Sequence, residues 1–315
     1  MKHNLKITIF LIGLFILAQL VGLAVLNEHI DTEETSRTGN VTFKELPELG
    51  NYQPERPQVE NESFSFVPIV IAVLIGTGLL LVLIKFNARR VWKIWFFAAI
   101  SYVLFIALKP FIDKITIPLF SVGSEWIAFA ICLVLAFFKA IRPNVYVHNF
   151  TELFLYGGMA AIFVDFLNLW SASILLILIS IYDIIAVWKS KHMVKLANFQ
   201  TDSKVFAGLF IPYSLKKNPM GNMPKPPKPT HEKHKTKKSK NAILGGGDIA
   251  FPLFFAGAVM KAFGFGMSFI IVGFTTVALG YLLFKAEQDK FYPAMPFLSA
   301  GCFGGLAIVL LLSLI

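Results

Sequence analysis

Apolar runs about as long as a bilayer is thick follow one another along this chain, interrupted by shorter polar stretches. A helical span needs roughly 20 mainly apolar residues at about 1.5 Å each. Nine segments approach or meet that length: 7–26, 66–84, 92–111, 124–138, 150–167, 169–188, 243–261, 266–284 and 295–314. The pattern predicts an all-α polytopic membrane protein with about nine transmembrane helices. The first run is longer than the apolar core of a secretion signal, about 7 to 15 residues, and no small-x-small cleavage site follows it. It is therefore read as a retained span. Composition agrees, since 56% of residues are hydrophobic and 32 are Phe.

Charge adds an orientation to this picture. Placing Lys and Arg on alternate sides of nine spans puts 23 on the side of the amino terminus and six on the other. The positive-inside rule then predicts a cytoplasmic amino terminus and an external carboxyl terminus. The chain divides into 1–188, with helices one to six and an acidic external loop at 27–65; a cytoplasmic Lys- and Pro-rich loop at 189–242; and 243–315, with helices seven to nine. That cytoplasmic loop holds 13 Lys against Asp202 and Glu232, so the formal charge of +10 is a local property of one segment. The bilayer surface, with its anionic headgroups, is a better partner for it than nucleic acid.

Within 189–242, the stretch up to about Phe199 alternates charged and apolar residues at helical spacing, which predicts an amphipathic extension of helix six. After Pro219, prolines 224, 226, 227 and 229 and the lysines that follow predict a flexible tether. The external loop carries the sequons Asn40-Val41-Thr42 and Asn61-Glu62-Ser63. Cys132 and Cys302 both fall inside predicted spans, so neither a disulfide nor a metal site is implied, and no cofactor is called for.

Two aspartates change the picture from a membrane protein to one with chemistry. Asp183 follows Tyr182 inside span six, and Asp248 closes the run Gly245-Gly246-Gly247-Asp248 at the start of span seven. A carboxylate within the bilayer costs about 2.5 to 3.5 kcal/mol on insertion scales, so keeping two argues for use. Span six descends and span seven returns, so both aspartates fall at about the same depth below one face. Glycines before Asp248 and Pro252 after it break helical regularity, which at membrane depth is tolerated only inside protein or against water. Two carboxylates in hydrogen-bond reach share a proton and titrate as a pair. One can deprotonate an attacking water while the other stabilises the oxyanion of a peptide carbonyl and protonates the leaving amine.

The residues Tyr182-Asp183 and Gly245-x-Gly247-Asp248 resemble the two catalytic motifs of the GxGD intramembrane aspartyl proteases, the presenilin and signal peptide peptidase family. A third family element, Pro-Ala-Leu with a following proline at the start of helix nine, is matched by Pro293-Ala294-Met295-Pro296, with Met in place of Leu. The swap is close in volume. The resemblance implies Asp183 and Asp248 as catalytic residues, Tyr182, Gly245 and Gly247 as motif support, and 293–296 as substrate-binding. It also implies a transmembrane protein or peptide as substrate, cleaved after local unwinding. The predicted orientation is similar to that of presenilins. Asp248-Ile249-x-x-Pro252 and Lys191-His192-Met193 are closer to signal peptide peptidases and archaeal homologues, which implies the cell membrane of an archaeon.

Other chemistries fit less well. The six histidines fall in loops or at span ends, and His231-Glu232-Lys233-His234 lacks the spacing of a zinc-protease motif. Glu152, Asp165, Asp113 and Glu125 fall near span ends, where snorkelling or capping accounts for them. The rival from another class is a proton- or ion-coupled transporter or channel using the same aspartates, since broken helices also carry carboxylates at depth. That rival gives no reason for 293–296.

Overall fold

A computed structural model of the protein describes residues 5–56, 62–116, 123–142, 144–189, 196, 199–200, 203, 205–212, 241–286 and 292–314. Among the described residues nine long helices account for the predicted spans: α1 Leu5–Glu28, α3 Phe66–Lys85, α4 Arg89–Thr116, α5 Ser124–Ala140, α6 Val145–Phe163, α7 Leu169–Ile184, α8 Gly247–Phe263, α9 Phe265–Lys285 and α10 Met295–Ser313. A short helix, α2 Thr32–Thr38, is capped by the Asp31 side chain, which accepts from the N–H groups of Glu33 and Glu34. Six of the long helices (α1, α3, α4, α7 with its continuation to Lys189, α9 and α10) have the length and apolarity to cross a membrane on their own. The other three, α5, α6 and α8, are shorter or carry polar residues that the bundle buries.

The bundle is organised around α8. From Ile249 to Met260 nearly every residue of α8 is buried, packed against α1, α6, α7, α9 and α10. Around this centre one apolar cluster joins Phe15, Leu26, Leu175, Leu253, Phe255 and Leu298. A second cluster, with Phe105, Cys132 and Ala136, lies between α4 and α5. In contrast α3 buries only Ile69 and exposes Ile71, Leu74, Ile75 and Val82. An apolar surface of that kind suits lipid, and α3 touches the rest through α4 and α7.

Helices come close where side chains vanish, the usual route to tight packing when lipid removes the hydrophobic drive. A Cβ on Gly158 of α6 would stand 2.4 Å from the carbonyl oxygen of Val103 on α4, and one on Gly301 of α10 would stand 2.9 Å from that of Phe274 on α9.

Two predicted boundaries need correction. Span seven does not begin at 243, because Asn241–Gly245 is a strand, β2, paired antiparallel with β1, Gly208–Pro212. Asn-Ala-Ile-Leu is too short to show a period, and its partner lies 29 or more residues away by sequence, so only the long-range pairing decides it. Span five begins near 145 rather than 150: Asn144 caps Tyr146 and starts α6 one turn early. The amphipathic extension predicted after Lys189, the tether after Pro219 and Asn61 of the second sequon lie almost wholly outside the described residues.

Gly158→Ala is expected to lower the thermal unfolding midpoint in detergent, with an overpacking penalty of about 1–3 kcal/mol. Gly76→Ala on α3, where an added Cβ meets nothing within 4 Å, is expected to leave the midpoint unchanged or higher.

Candidate active site

The buried stripe of α7 runs Ala172, Leu175, Leu176, Ile179, Asp183. These positions repeat every three or four residues, so Asp183 belongs to the face turned into the bundle. It is 5% exposed. Tyr182, one position round the helix, points elsewhere: its hydroxyl lies 3.0 Å from Thr77 Oγ1 on α3. Tyr182 thereby joins α7 to the peripheral helix α3.

Asp248 reaches the same place from the other side. It stands in the first turn of α8, where a negative charge suits the helix N-terminus. Helices α7, α8 and α10 touch one another in pairs, and the two aspartates interact electrostatically. The Gly245 N–H donates to the Asp248 carboxylate. A Cβ on Gly245 would sit 3.1 Å from Asp248 Oδ2, whereas one on Gly247 would meet only the Phe251 ring, at 3.5 Å. Gly245 is thus crowded by the aspartate itself, and Gly247 is not.

The 293–296 segment completes the site through its backbone. Pro293 and Pro296 have no N–H, so Ala294 and Met295 carry the only two amide donors of this stretch. Both donate to Asp183, Met295 at 3.0 Å from Oδ2. The start of α10 is a small anion cradle aimed at one carboxylate. The Met295 side chain is buried in the main apolar cluster, so Met for Leu changes what packs behind the cradle and leaves the donors in place.

Three contributors were missed at the level of sequence. Gln19, buried on α1, donates from Nε2 to the Ile249 carbonyl at 2.9 Å, supplying a donor beside the place where Pro252 leaves the Asp248 carbonyl without one. An amide in the first span was the available signal. Ser180 and Ser299 lie 2.7 Å apart and tie α7 to α10 one turn from Asp183; two serines among many carry no such signal. The third is a correction. Glu152 does not snorkel: it is buried together with His148 and Lys139, with Lys139 Nζ 2.6 Å from Glu152 Oε1. Of the other acids read as interfacial, Asp165 pairs with Arg56 and Asp113 with Lys109.

Comparison with known proteins identifies the class. Residues 12–315 match the family described as signal-peptide peptidase, presenilin aspartyl protease. The chain belongs to that family, and it is an intramembrane aspartyl protease, a multi-pass membrane hydrolase. No curated protein matches it. Two solved structures share the fold. "Structure of a presenilin family intramembrane aspartate protease in C222 space group" has a TM-score of 0.58 at 15% identity, covering 97% of this chain and 99% of that one. The same title for the P2 space group has a TM-score of 0.58 at 16% identity, covering 96% of each. The transporter reading finds no support in either comparison.

Gly245→Ala is expected to lower kcat for a single-span peptide by about 10²-fold, the scale of a ~1 Å displacement of a reacting group. Gly247→Ala should retain most of the activity in the same assay.

Proposed function

We propose that Asp183 and Asp248 are the catalytic pair, cleaving transmembrane segments of membrane proteins by general acid and base catalysis. The observation that carries this reading is their convergence: one is presented by the buried stripe of α7, the other by the first turn of α8, in electrostatic contact beside the amide donors of α10. The ionised member takes a proton from water, and the protonated member bonds the carbonyl oxygen and then passes its proton to the amine.

A substrate helix must unwind before water reaches its peptide bond, and β2 offers the opened strand a place. His148 and Asn149 of α6 already occupy the outer edge of β1: Asn149 exchanges hydrogen bonds with both N and O of Phe210, and His148 meets the Gly208 carbonyl. Alternation along an antiparallel ladder then turns the polar groups of Ile243, opposite Phe210, to the outer side of β2. Among the described residues these groups have no hydrogen-bond partner, and Ile243 is exposed. An extended substrate added there enters two residues from Gly245 and five from Asp248. In this reading the segment 293–296, which donates to Asp183, is the other substrate-binding element. The amino terminus and the 189–242 loop face the cytoplasm of an archaeal cell in this proposal, and the site opens just beneath that face.

In purified full-length protein, Asp183→Ala and Asp248→Ala are each expected to reduce cleavage of a single-span peptide by ~10³-fold or more, the range of lost acid–base catalysis. Undiminished cleavage in either variant rejects the proposal.

A further inference from the structure

Four polar side chains that the two-carboxylate chemistry leaves unused are buried together behind the 245–248 loop. Lys139, in the last turn of α5, extends Nζ to Glu152 Oε1 at 2.6 Å and to the His148 carbonyl at 3.4 Å. The Tyr156 hydroxyl donates to the other oxygen of Glu152. His148 Nε2 lies 2.7 Å from the Gly208 carbonyl, which must accept, so the proton sits on Nε2. That leaves Nδ1 as an acceptor, 3.5 Å from Lys139 Nζ. None of the four is more than 2% exposed.

Such a group is an unusual thing to retain in a membrane bundle. Apolar residues of similar volume often replace a buried ion pair without loss of stability, so stability alone does not explain it. Its contacts suggest why it is kept. Through His148 it holds Gly208, the partner of Gly245 across the two strands. Through Tyr156 it backs Gly246, whose added Cβ would stand 3.4 Å from the ring, and Gly246 is itself bonded to the Ala207 carbonyl. Tyr156 also lies within electrostatic reach of Asp248. A run of three glycines has no side chains with which to hold its own shape. Here the shape is imposed from α5 and α6.

We infer that Lys139, His148, Glu152 and Tyr156 are positioning residues that fix the β1–β2 pair and the glycine loop, and through them set the Asp248 carboxylate against Asp183. The inference rests on the reading of the two aspartates as the catalytic pair. It predicts that loss of the network misaligns the carboxylates while leaving the fold intact.

The test compares Tyr156→Phe, which keeps the ring and removes one hydroxyl, with the double variant Lys139→Met, Glu152→Met, both in the full chain in detergent. For each, thermal unfolding is recorded alongside kcat and KM for a single-span peptide. Both variants are expected to unfold within a few degrees of the parent, with kcat per folded molecule lower by about 10-fold or more and KM changed less than about threefold, the signature of lost alignment rather than lost binding. Parental kcat per folded molecule in Tyr156→Phe overturns the inference, whether or not the double variant folds. So does a loss of activity that merely follows the folded fraction. Failure of the underlying reading looks different, because cleavage by the parent protein would then survive Asp248→Ala.

Discussion

Backbone amides with nowhere else to go hold this site together. At membrane depth each N–H needs a partner within the protein. Between Pro293 and Pro296 two such donors remain, and both end on Asp183. That contact joins the end of α7 to the start of α10 and gives the carboxylate one orientation. On the other side, Gly245 donates to Asp248 and Gln19 to the carbonyl after it. Beside the two aspartates the irregular backbone is held by these bonds, and the same bonds orient the carboxylates.

The surrounding helices supply depth and shielding rather than chemistry. α8 is buried almost throughout and carries Asp248 on its first turn, so its position depends on α1, α6, α7, α9 and α10 together. α3 stands apart, with a mostly lipid-facing surface and a polar link to α7 through Thr77 and Tyr182. A rigid centre beside a lightly held helix suits an enzyme that must keep two acids aligned while admitting a long substrate from the side.

Much of this was legible in the chain. Span length is a direct consequence of bilayer thickness, so most of the helices were placed to within a few residues, and Asp183 and Asp248 stood out because charge is rare in apolar runs. Three features were not legible, for separate reasons. The strand at 241–245 depends on pairing with 208–212, and a five-residue segment shows no period of its own. The burial of Glu152 depends on Lys139 lying opposite, 13 residues earlier, on another helix; either residue alone near a span end reads as a snorkelling charge. The bonds from 293–296 to Asp183 come from its backbone, which residue types reveal only once Asp183 is known to face them.

The central claim is that Asp183 and Asp248 address one reacting atom, and a structure of the protein with a hydroxyl-bearing transition-state isostere bound tests it most directly. The account predicts that the hydroxyl lies within hydrogen-bond distance, about 3 Å, of both carboxylates, with the Ala294 and Met295 amides still on Asp183. A hydroxyl bound by one aspartate alone, with the other turned toward a different surface, would contradict it.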